Sequence, residues 1–114
     1  MSNNIIDLTT ARELIKRYRD NLDEIATPTF SGALKYSETF DAAAVQAILN
    51  QPGCVEFRAY YGMKADNSIC SIFVGVDVED NDILNSLNGT GEDVIVEYGR
   101  DCPPVCSIAK NRIY

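Results

Sequence analysis

Histidine is missing from this chain altogether. It is the usual general base near neutral pH and the usual partner that orients serine or cysteine nucleophiles. Without it one chain holds no Ser-His-Asp or Cys-His pair, no His-ligated zinc and no His-ligated haem. Catalysis would have to rest on carboxylates, lysine, tyrosine or thiolates, so a non-enzymatic role is expected. Positive charge is scarce as well: 10 Lys and Arg stand against 17 Asp and Glu, for a net charge of −7. Neutralising phosphates needs a positive surface, so nucleic acid is not an expected partner. No Lys or Arg occurs between Lys64 and Arg100, whereas Asp66, Asp77, Glu79, Asp80, Asp82, Glu92, Asp93 and Glu97 do. Long apolar runs are lacking too; SIFVGVDV is far too short to span a bilayer, and no membrane association is expected. The first residues show no basic start, apolar stretch and cleavage site. The expected location is therefore the cytoplasm, where cysteines are kept reduced.

What is present reads as one domain over residues 1–114, with a Cys/Pro-containing tail from about 100 to 114. Residues 10–26 carry an amphipathic helix pattern. Thr10 and Glu13 suit a capping box, and Ala11, Leu14, Ile15, Tyr18, Leu22 and Ile25 form an apolar stripe. Opposite lie Arg12, Lys16, Arg17 and Arg19, balanced by the i,i+4 pairs Glu13–Arg17, Lys16–Asp20 and Arg19–Asp23. Pro28 and Gly32 end this segment, and residues 33–36 suit a short extended piece. A second helix starts after Asp41, buries Ala44, Val45, Ile48 and Leu49, and stops at Gln51-Pro52-Gly53.

Strand signals follow. In CVEFRAYYG, Val55, Phe57, Ala59 and Tyr61 alternate with Glu56, Arg58 and Tyr60. MKADNS turns the chain, and ICSIFVGVDV returns it with apolar residues on both faces, the mark of a central strand. Gly75 within it points to a bulge or a close approach. Residues 93–99 suit a third strand. The expected architecture is α+β, with two N-terminal helices packed on a small, mostly antiparallel sheet of about three to four strands.

Cys54, Cys70, Cys102 and Cys106 are enough in number for a Cys₄ zinc site, but only the last two form a close pair. A thiol-redox role for CPPVC is a further reading, although catalytic dithiols use a two-residue spacer at a helix start. A disulfide between Cys102 and Cys106 is sterically feasible. The simplest reading has the prolines steer a tail over the sheet while the cysteines pack as small apolar side chains. The acidic segment from Asp77 misses the glycine and the bidentate glutamate of a calcium loop. NGTGED is a turn rather than a phosphate cradle. Arg58 and Tyr60, with Tyr98 from the third strand, suit either a shallow site for a small anion or a solvated sheet face. Phe73 needs cover that two helices on one face do not supply, so it marks a possible interface.

The segments SETF (37–40), ILNQPGC (48–54), YYGM (60–63), VGVD (74–77) and CPPVCS (102–107) occur in this order. In this the chain resembles a family of small uncharacterised proteins of Bacteroidota, flavobacteria and their relatives, along most of its length. The resemblance implies a bacterial cytoplasmic setting and carries over no activity, ligand or catalytic residue. The expected function is a small acidic interaction module that binds a protein partner or itself without a cofactor. A zinc-stabilised or thiol-redox protein built on CPPVC is the alternative.

Overall fold

The computed structural model describes residues 4–97 and 99–114. Helix α1 spans Leu8–Asp20 and starts earlier than the capping-box pattern suggests. Asp7 is the cap: its carboxylate accepts the Thr10 N–H at 2.7 Å, so Thr10 is the capped residue rather than the cap. The helix breaks at Asn21 and resumes as one turn, α2 (Leu22–Ile25). That break takes Arg19 and Asp23 out of one continuous helix, and of the three expected pairs only Lys16–Asp20 is formed, at 2.6 Å, among the described residues.

The apolar stripe of α1 and α2 is only partly covered: Leu14 and Ile25 are each 59% exposed, while Ala11, Ile15, Tyr18 and Leu22 are half-buried. The helix lies on the flank instead of across the sheet. Two long-range bonds tether it: Tyr18 Oη donates to the Lys35 carbonyl at 2.6 Å, and Arg12 Nε donates to the Ile113 carbonyl at 2.8 Å.

After a 3₁₀ turn at Pro28–Phe30 come β1 (Ser37–Thr39), α3 (Ala42–Leu49), β2 (Glu56–Met63), β3 (Ile69–Val76), the single turn α4 (Asn85–Asn88) and β4 (Arg100–Cys102). The fold is α+β, with the helices mostly N-terminal and antiparallel strands in two ladders of two. In one, β2 faces β3 from Glu56–Val76 to Met63–Ile69; in the other, β1 faces β4 from Ser37–Cys102 to Thr39–Arg100. The third strand expected at 93–99 reduces to one bridge, Phe73–Val96, and the strand forms just beyond it as β4. Likewise β1 forms just after the extended piece expected at 33–36. The two ladders are joined by Lys64 Nζ to Asp101 at 2.9 Å and by Ser71 Oγ to Glu38 at 2.8 Å.

Strand β3 is central in an unusual way, because four different segments complete its outer edge. The Ala33 carbonyl accepts the Ile69 N–H, Glu38 accepts the Ser71 N–H, Val96 exchanges two bonds with Phe73, and the Gly75 carbonyl accepts from Ile83. Each main-chain group on that edge would otherwise be an unsatisfied polar group near the core. The core is small. Cys70, Val74 and Val76 lie on one face of β3, while Ile48 of α3 is fully buried near Gly75 on the other. A Cβ on Gly75 would sit 3.0 Å from Cys54 Sγ and 3.4 Å from Ile48 Cγ2, so the glycine marks the close approach of α3's C-terminal end.

Three surface turns depend on carboxylates. Asp7, Asp66 and Asp93 accept from Thr10, Ser68 and Ser86, and these hydrogen bonds hold each carboxyl below its ordinary value. A folded-state pKa below the unfolded one adds stability above the unfolded value and loses it as pH falls through the folded value. The melting temperature is therefore expected to hold down to about pH 5 and to fall below about pH 4. An Asp66→Asn/Asp93→Asn variant should start lower at neutral pH and show a shallower acid decline, measurable by thermal melts between pH 2 and 7.

Candidate functional site

The four cysteines do not come together. In an antiparallel hairpin the first residue of one strand lies beside the last residue of the next. Cys70 therefore pairs with Gly62, whereas Cys54 lies against Gly75 toward the other end of β3, about 17 Å away along the strand. Cys70 is buried, and burial pushes its thiol pKa up. Cys54 donates to the Glu56 carbonyl at 3.2 Å. Cys102 and Cys106 are joined in a disulfide with their Cα atoms 4.6 Å apart. Packing as small apolar thiols thus describes Cys70 but not the tail pair. Among the described residues no group of three or more His, Cys, Asp or Glu is arranged to hold a metal ion.

Arg58 and Tyr60 share a face of β2, as their alternation implies, but the acidic loop after β3 occupies them. Arg58 donates to Asp82 at 2.6 Å and to Asp80 at 2.5 Å, and the Tyr60 hydroxyl donates to the other Asp82 oxygen. An anion there would compete with two carboxylates already in place, so this is a structural clamp rather than an anion site. The loop is shaped for it: Asp77 accepts the Glu79 and Asn81 N–H groups at 2.9 and 3.0 Å. Asp80 then turns through a positive φ of 68°. Tyr98 lies outside the described residues. Phe73 finds its cover within the chain, with its ring edge-on to Phe40 at 4.8 Å and to Phe57 at 5.6 Å.

Two other features stand out. The first is the outer edge of β2. Phe73 and Gly75 turn their main-chain groups away from β2, so Cys70, Ile72, Val74 and Val76 face it and bond Gly62, Tyr60, Arg58 and Glu56. By alternation the N–H and C=O groups of Phe57, Ala59, Tyr61 and Met63 point outward. None of them has a backbone partner among the described residues. Phe57, Tyr61 and Met63 are exposed there, Tyr61 to 83%.

The second is a cleft of about 440 Å³ between α1, the β1–β4 ladder and the tail. The Cys102–Cys106 disulfide, Tyr36, Arg19, Arg112 and Tyr114 line it, and no Asp or Glu does. Arg19 stacks on two rings, 4.1 Å from the Tyr36 centroid and 4.6 Å from that of Tyr114. Sequence reading missed this cleft because its walls come from opposite ends of the chain. A wider hollow of about 880 Å³ lies between Gln51–Gly53 and the loop after β3, but its Asp77 and Asp82 are engaged as described. No helix among the described residues is long and apolar enough to cross a membrane. No family model, no curated protein and no solved structure matches this chain.

Proposed function

We propose that this chain is a non-enzymatic interaction module that pairs with a second copy of itself along β2. The observation that carries this reading is the open edge at Phe57, Ala59, Tyr61 and Met63, long, apolar and unpaired. Soluble proteins usually blunt such an edge with a free charge, a proline or a cover. Here its one arginine is neutralised by Asp80 and Asp82.

The strand is complementary to itself about a two-fold axis beside Tyr60. Antiparallel pairing there sets Ala59 against Tyr61 of the second copy and Gly62 against Arg58, small residues opposite large ones. It sets Phe57 against Met63 and places Glu56 beside Lys64 of the second copy at each end, with no like charges opposed. About eight main-chain hydrogen bonds would join the two hairpins into one continuous sheet. Sedimentation equilibrium of the oxidised chain is expected to show a monomer–dimer equilibrium with a micromolar dissociation constant. A monomer at every concentration up to the millimolar range would sink the reading.

A second reading rests on the disulfide lining the cleft, with Cys106 exposed. A dithiol partner would pass two electrons and two protons to it, leaving Cys102 and Cys106 as thiols and the partner as a disulfide. The alternative for that bond is a simple clasp on the tail, contributing about 2 kcal/mol for so short a loop. Incubation with a dithiol and mass measurement over time separates the two. Reduction within minutes with an unchanged melting temperature favours exchange chemistry, whereas slow reduction with a melting temperature lowered by about 8 °C favours the clasp.

A further inference from the structure

Charge on this molecule is distributed against the trend in one place. The chain carries −7, yet the cleft beside the disulfide is lined by Arg19 and Arg112 with no Asp or Glu side chain. Arg19 is stripped of both acids that its sequence neighbours offer. The break at Asn21 removes Asp23 from helical spacing, and Lys16 takes Asp20 at 2.6 Å. Among the described residues the Arg19 guanidinium has neither an ion-pair partner nor a hydrogen-bond acceptor, and its Nε is buried without one. A guanidinium has five N–H donors, all in its plane, and such a buried donor ordinarily finds an acceptor. The rings of Tyr36 and Tyr114 stack against it, which fixes the plane and leaves its edge for bonding.

We propose that this cleft binds a small oxyanion, a carboxylate or phosphate group seated on the edge of Arg19 with Arg112 as the second cation. A planar fork matches two oxygens of either group in a bidentate pair. The volume of about 440 Å³ is that of a small-molecule site. The tail forms one wall and is itself anchored, by Arg12 to the Ile113 carbonyl and by Arg112 to the Ser107 carbonyl at 2.9 Å. This site is separate from the β2 edge, so its failure leaves the self-pairing reading untouched.

The test is calorimetric titration of the oxidised chain with sodium phosphate and, separately, sodium benzoate at constant ionic strength. One saturable site per chain is expected for at least one probe; the tighter of the two tells a phosphorylated ligand from a carboxylate. Arg19→Lys keeps the charge but loses the fork, and should weaken binding about tenfold. Arg19→Gln should abolish it, while Arg17→Gln, the same charge change outside the cleft, should not alter it. Titration of the unmutated chain followed by NMR guards against a folding artefact, because the Arg19 Nε–H resonance should move with the same dissociation constant. Absence of saturable heat with both probes up to about 20 mM would overturn the proposal. So would equal weakening by Arg17→Gln, or an Arg19 resonance that stays still.

Discussion

Ala59→Pro is expected to leave the chain folded and to turn the proposed dimer into a monomer. Proline lacks an N–H, and inside a paired strand that loss breaks a ladder bond. At Ala59 the N–H points outward, so the β2–β3 ladder loses nothing. In the dimer the same N–H meets Tyr61 of the second copy, and the two-fold axis doubles the loss. Two hydrogen bonds vanish and two proline rings meet the partner strand, so association should weaken by at least about a hundredfold. Tyr61→Lys, which adds a free charge to the same edge, should act alike through a different mechanism. Sedimentation equilibrium reads the association, and far-ultraviolet circular dichroism reads the fold. A dimer that survives both changes does not form along β2.

Ile48→Ala is expected to be the most damaging single truncation. Ile48 is fully buried, and it joins α3 to the hairpin beside Gly75. Removing a buried isoleucine to alanine typically costs about 2–5 kcal/mol, through lost transfer energy and the cavity left behind. Single domains have about 5–15 kcal/mol in total, and this one has few fully buried side chains to spare. Partial refilling of the cavity is limited, because Gln51 and Cys54 already press on Gly75 from the same side. Urea denaturation should show the midpoint falling by a large fraction of its original value. Leu14→Ala on α1, at an exposed position, should change it by less than about 0.5 kcal/mol.

The hairpin and α3 were legible because their signals are local. Alternation of Phe57, Ala59 and Tyr61 sets a strand with period two, and Asp41 followed by Ala44, Val45 and Ile48 sets a helix from Ala42. The Asp41 side chain makes no capping bond, however, and Leu49 is exposed rather than buried. Apolar residues on both faces of β3 announced a central strand, which its four-segment outer edge explains. The start of α1 misled because Thr10 and Glu13 satisfy a capping box on paper, while Asp7 holds the Thr10 N–H in fact. The clamp on Arg58 and the cleft around Arg19 were illegible for a different reason. Arg58 meets carboxylates 22 and 24 residues away, and Arg12 meets the tail across 101 residues. Such meetings follow from register and topology, which no window of neighbouring residues contains.

The pairing of β1 with β4 also sets an order of events during synthesis. Ser37, Glu38 and Thr39 find their strand partners only when residues 100–102 have been made, and the Arg12 contact to Ile113 waits longer still. The hairpin and α3 can thus close on themselves, and Ala33 and Glu38 can bond Ile69 and Ser71, before β1 gains its strand partner. Closing so long a loop costs entropy that local contacts cannot offset, so α1 and β1 should join last. Until then Ile15 and Tyr18, half-buried in the finished fold, travel exposed on the nascent chain, where a chaperone would find them before the rest of the protein does.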